Sequence, residues 1–215
     1  MTVSTEVLIE AEQVRLPGDL TLPEPVFGIV VFAHGSGSTR KSPRNRQVAR
    51  VLNDSGQATL LFDLLTPDEE RDRTNVFDIE LLAGRLAAAT GWLRARKEAQ
   101  RLPVGYFGAS TGAAAALWAA ADLGRTVAAV VSRGGRPDLA GPRLGEVKAP
   151  TLLIVGGDDH QVLSLNREAQ RSLRAPNDLV VVPGATHLFE EPGALEEVAR
   201  RAAEWFGRHL REGSS

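Results

Sequence analysis

Gly108-Ala109-Ser110-Thr111-Gly112 stands where a short apolar run gives way to an alanine-rich one, and no other stretch constrains the fold as much. Upstream, residues 102–107 are apolar and of strand length. Downstream, residues 113–121 are almost all alanine, with Leu117 and Trp118, a composition that forms helix readily. A serine between two glycines at such a junction meets the needs of a tight strand-to-helix elbow. Flanking side chains would clash with the neighbouring strand and helix, and the serine backbone is strained. The hydroxyl is then lifted to a helix N-terminus, where oriented N–H groups favour negative charge. The alternative is a glycine-rich turn whose serine only caps a helix, so the rest of the chain has to decide.

From Val26 onward, apolar runs alternate with amphipathic stretches. Residues 28–33, 58–64, 104–107, 127–131, 151–155 and 179–182 are rich in Val, Ile and Leu without polar alternation. That pattern predicts short strands of a parallel sheet covered on both faces. Between them, Ser42-Pro43 predicts a helix start and Gly56 its stop, residues 77–96 a long second helix, and residues 191–210 the last one. Acids at the start and arginines at the end of that last helix suit its dipole. Residues 6–14 and 20–22 suggest an antiparallel hairpin turning at Pro17-Gly18-Asp19. A hairpin followed by repeated strand–helix units predicts an α/β protein, a three-layer α/β/α sandwich with a mostly parallel sheet. One domain is expected to fill residues 1–215, with its core at about 26–210.

In such sheets reactive side chains come from loops at the carboxyl ends of strands. The 28–33 strand exits into His34-Gly35-Ser36-Gly37-Ser38, a turn able to present a free backbone N–H. The 104–107 strand exits into Ser110. The 151–155 strand exits into Gly156-Gly157-Asp158-Asp159, and the 179–182 strand into Pro183-Gly184-Ala185-Thr186-His187. Serine, then aspartate, then histidine, each at a strand exit, is the chain order of the α/β-hydrolase triad.

On these residues the chain resembles an α/β-hydrolase without a lid domain, nearest the dienelactone hydrolase-like branch, from about residue 26 to 210. The resemblance rests on HGSGS, GASTG, GGDDHQV and GATHLFEEPGALEEV. It implies Ser110 as nucleophile, His187 as general base, Asp159 as the acid that orients the imidazole, and an oxyanion hole from the N–H groups of Thr111 and Ser36. The family pattern Gly-x-x-Asp, with an apolar residue three positions on, fits Gly156, Asp159 and Val162 better than Asp158. Dienelactone hydrolases proper carry a cysteine where Ser110 stands, so serine ester hydrolysis is favoured over lactone-specific chemistry. Base and acid activate the otherwise weak hydroxyl. Two backbone donors stabilise the tetrahedral oxyanion by roughly 3 kcal/mol each in comparable enzymes.

The remaining polar candidates have milder readings. His34 is expected to brace its loop by a hydrogen bond, His160 to lie at the surface or pocket rim, and His209 to suit a helix C-terminus. Arg40, Lys41, Arg44 and Arg46 follow the HGSGS loop, and Arg133 and Arg136 follow the next strand. Most are surface charge; Arg40 or Arg133 is the candidate to pair with a substrate carboxylate. Residues 68–73 read as a solvated loop. With no cysteine and four histidines lacking ligand spacing, neither a metal nor a cofactor is expected. A net charge of -2 gives no reason to expect nucleic acid or an anionic membrane as partner. No signal-peptide core and no membrane-length apolar run occurs, so a soluble cytoplasmic protein acting on a small-molecule ester is expected. Gly213-Ser214-Ser215 reads as a disordered tail.

Overall fold

The apolar runs become strands of one sheet in the computed structural model, which describes residues 2–212. The strands are β1 (Val3–Ala11), β2 (Val14–Leu22), β3 (Gly28–Ala33), β4 (Gln57–Phe62), β5 (Val104–Ala109), β6 (Val127–Arg133), β7 (Thr151–Gly156) and β8 (Asn177–Val182). Their order across the sheet is β1-β2-β4-β3-β5-β6-β7-β8. The β1–β2 and β2–β4 pairs are antiparallel and all others parallel, so every strand from β3 onward points its carboxyl end to the same edge. The predicted Gly213–Ser215 tail lies outside the described residues.

Helices cover both faces. They are α1 (Pro43–Asp54), α2 (Arg73–Val76), α3 (Ile79–Arg94), α4 (Thr111–Leu123), α5 (His160–Ser172) and α6 (Ala194–Glu212). On one face Val48 and Leu52 of α1 and Val198 and Phe206 of α6 pack against Val30, Phe32, Phe107 and Ile154. On the other, Leu86 of α3, Leu117 of α4 and Ala169 of α5 share a core with Val31, Tyr106 and Leu153. Each fully buried Leu or Phe here contributes about 1.5–3 kcal/mol. The two cores hold the strand ends in fixed register. No helix among the described residues is long and apolar enough to cross a membrane.

Four details differ from the expectation. The hairpin turns at Glu12-Gln13, with Glu12 at φ 55°, and not at Pro17-Gly18-Asp19. Those three residues run through β2: the ladder to β4 begins only at Gly18, so the missing N–H of Pro17 breaks no pairing there, while its carbonyl accepts from Asp63 N–H at 3.0 Å. The long helix starts at Ile79, because the Asp78 side chain caps it by accepting from Leu81 N–H. Residues 68–73 are not simply solvated: Glu69 reaches the buried guanidinium of Arg85 at 2.7 Å, and Arg85 also donates to the Ala11 carbonyl. Finally, β8 is an edge strand and half-exposed rather than covered on both faces.

Between β6 and β7, where a cap could be inserted, the chain instead makes 3-10 turns over Pro137–Glu146. Pro137, Ala140 and Leu144 are buried there, and the segment packs against α4 and α5. Among the described residues it forms no lid.

Candidate active site

Between the end of β5 and the start of α4, Ser110 alone turns the chain, at φ 52° and ψ -121°. A non-glycine residue at positive φ costs of order 1–3 kcal/mol and persists only where its surroundings over-determine it. They do so here. A Cβ on Gly108 would collide with the backbone of Ala113, and one on Gly112 with the carbonyl of Ala33. The two glycines thus let α4 and the end of β3 close on the elbow. Ser110 N–H is held by the Arg133 carbonyl on the adjacent strand at 3.2 Å, which sets the hydroxyl above the sheet edge.

His187 Nε2 lies 3.4 Å from Ser110 Oγ, and His187 Nδ1 lies 2.7 Å from Asp159 Oδ2. Asp159 is the N-cap of α5 by position, yet its side chain caps nothing, which leaves the carboxylate for the imidazole. Asp158 is exposed. The loops that carry acid and base are tied by their backbones, Asp158 N–H to the Ala185 carbonyl and Gly157 N–H to the Val182 carbonyl. Phe189, at φ 56° and fully buried, anchors the chain two residues past His187. Nothing in the sequence marked Phe189 for this task, because a single phenylalanine after a loop carries no periodic signal.

Expected in the oxyanion hole were Thr111 and Ser36. Thr111 N–H sits at the first turn of α4, where helical geometry offers it no carbonyl. Ser36 N–H is not free, as the loop had suggested: it donates to Thr111 Oγ1 at 2.9 Å. The hydroxyl at the first helical position lies under the Ser36 amide and takes the bond. His34 is buried and spans two strand exits, accepting from Leu64 N–H through Nε2 at 3.0 Å, with Nδ1 3.0 Å from the Gly35 carbonyl. That tautomer places the proton on Nδ1. Burial, the largest influence, pushes its pKa below the ordinary 6.5, against the opposing pull of the Gly35 carbonyl, Asp63 and Glu70.

The two candidate arginines have separate fates. Arg40 is taken up inside the protein by Glu6 at 2.7 Å, Asp19 at 2.6 Å and Asp63 at 3.4 Å. It clamps the 34–42 loop to the hairpin and is not available to a substrate, which corrects the expectation for it. Arg133, at the end of β6, is also buried but pairs with no carboxylate among the described residues. Arg136 is held by Asp138, Arg44 by Glu190 and Arg46 by Asp19. His160 is exposed, and the ring of His209 packs on Trp205 at 4.5 Å. Among the described residues no group of three or more His, Asp or Glu is placed to hold a metal ion.

Two hollows flank the elbow. An apolar one of about 130 Å3 is walled by Leu64, Leu65, Val76 and Leu82, with Ser36 and Thr111 at its base. A polar one of about 260 Å3 opens over Ser110 and His187 and reaches Arg133 and Arg44.

The sequence profile of the Dienelactone hydrolase family matches residues 17–211. A solved dienelactone hydrolase from Anabaena variabilis is similar with a TM-score of 0.95 and 56% identity, over 98% of this chain and 99% of that one. Est1E from Butyrivibrio proteoclasticus shares the fold, with a TM-score of 0.82 and 15% identity over 95% of this chain and 98% of its own. A Mycobacterium tuberculosis protein called "Putative phosphoribosyl transferase" is 65% identical over 95% of this chain and 46% of its own length. The chain therefore spans about half the length of that relative.

Proposed function

Since the chain belongs to the dienelactone hydrolase family, we propose that it is a serine hydrolase that cleaves small carboxylic esters, lactones and thioesters through an acyl-Ser110 intermediate. The observation that carries this reading is the continuous contact from Ser110 Oγ through His187 to Asp159, at 3.4 and 2.7 Å.

Ser110 Oγ attacks the acyl carbon as its proton passes to His187 Nε2. Asp159, accepting from Nδ1, holds the tautomer that leaves Nε2 free and stabilises the imidazolium that forms. The oxyanion lies against Thr111 N–H and, in exchange for the Thr111 hydroxyl, Ser36 N–H. Collapse expels the alcohol or thiol, which takes the proton from His187. Water then repeats the sequence on the acyl-serine, releasing the acid and restoring Ser110. The transferase name belongs to a relative about twice as long as this chain.

Turnover of p-nitrophenyl acetate tests the reading. The native chain should release nitrophenolate, and Ser110→Ala should lose at least about a thousandfold in kcat while keeping its melting temperature. Equal turnover by the two proteins would overturn it.

A further inference from the structure

Arg133 is 7% exposed, and its Nε and Nη1 are buried without a hydrogen-bond partner. The ring of Phe189 lies 6.0 Å from its Cζ, and a second cation, Arg44, acts on it electrostatically. A buried guanidinium without a counter-ion is expensive, and proteins keep one where a ligand supplies the missing charge. Burial and Arg44 draw its pKa down to about 10, so it remains cationic at neutral pH.

The surroundings continue the pattern. Arg44 Nε is likewise buried without a partner, while its Nη1 pairs with Glu190 at 3.0 Å. Ser38 and Ser42 line the same hollow as Ser110, and Ser42 caps α1, a helix of 12 residues. Ser42 Oγ accepts from Asn45 N–H, which leaves its own proton to donate. Donors therefore converge from β6, from the N-terminus of α1 and from the HGSGS loop. A carboxylate offers two oxygens in one plane. A phosphate monoester offers three around a tetrahedron, matching the number of donors.

We propose that this hollow binds a phosphate group carried by the substrate, so that the ester cleaved at Ser110 is that of a phosphorylated small molecule. The inference rests on the reading of Ser110 as acyl acceptor and adds the class of molecule that the site selects.

Three acetate esters of matched length separate the possibilities: 2-acetoxyethyl phosphate, 3-acetoxypropanoate and the neutral 2-acetoxyethanol. The phosphate ester should exceed the neutral one in kcat/KM by about tenfold or more, the scale of hydrogen bonds to charged groups, and should exceed the carboxylate. Arg133→Gln should collapse that ratio toward one. Arg44→Gln, at a more open position, should lower it in the same direction and serves if Arg133→Gln does not fold. Inorganic phosphate should also raise the melting temperature of the Ser110→Ala protein, and Arg133→Gln should abolish the shift. That readout needs no catalysis, so failure of the anion site and failure of the hydrolase reading are separate results. Preference for the carboxylate or the neutral ester, or a phosphate preference that survives both variants, would overturn the proposal. So would phosphate that stabilises the protein while the phosphate ester gains nothing, since the hollow would then hold a free anion only.

Discussion

Asp158 and Asp159 are neighbours of the same chemical type, and the turn into α5 sends them apart. Asp159 meets His187 Nδ1 at 2.7 Å, whereas Asp158 is exposed. Asp159→Asn should therefore lower kcat by about a thousandfold or more, by favouring the wrong imidazole tautomer, while Asp158→Asn should leave it nearly unchanged. Steady-state kinetics on the two variants decides, and reversed effects would reassign the acid. His34 gives a different kind of prediction. Its folded pKa lies below the ordinary 6.5, so the unfolded state binds the proton more readily. The stability it confers is complete above 6.5 and is lost as pH falls through the lower folded value. Melting temperatures measured from pH 8 down to pH 4 should fall more steeply for the native chain than for His34→Gln. Parallel curves would remove His34 from the account of acid sensitivity.

At the scale of elements, Arg40 joins parts that are distant in sequence. With its side chain 10% exposed, it binds Glu6 of β1, Asp19 of β2 and Asp63 just after β4. Removing it leaves acids facing each other at the foot of the 34–42 loop. Arg40→Met should cost about 3 kcal/mol in urea unfolding, at the low end for a broken buried pair because Glu6 is itself exposed. A loss under about 0.5 kcal/mol, ordinary for surface pairs, would return Arg40 to surface charge. This clamp also shows where reading the sequence stops. The runs that became β3 to β7 were legible because strands covered on both faces are continuously apolar. Ser110 and Asp159 were legible because each follows such a run, and His187 because it follows the apolar stretch of the half-exposed β8. The partners of Arg40 and the lack of a partner for Arg133 were not, since Glu6, Asp19 and Asp63 come together only through the sheet order. Pro17-Gly18-Asp19 has the composition of a turn, and only the start of the β2–β4 ladder at Gly18 shows why it lies inside a strand.

Across the whole molecule, a single sheet with its strand ends at one edge brings together side chains spread from residue 34 to residue 187. It leaves them under little cover. The apolar hollow beside the elbow holds about 130 Å3, and Pro137–Glu146 packs against α4 and α5 rather than over the site. Apolar affinity requires burial, at roughly 25 cal/mol per Å2, so chain length beyond the hollow adds little. Acyl chains of about two to six carbons should outperform those of about twelve, with no rise in rate at the micellar threshold. A preference for long chains in a p-nitrophenyl ester series would mean that cover comes from elsewhere.

The central claim is that Ser110 is the acylated nucleophile, and mass spectrometry after exposure to a fluorophosphonate reads this directly. The account predicts one adduct per chain, mapped to Ser110 in the peptide that contains GASTG, and none on Ser110→Ala or on acid-unfolded protein. A native chain that stays unlabelled, or a label on another serine, would contradict it.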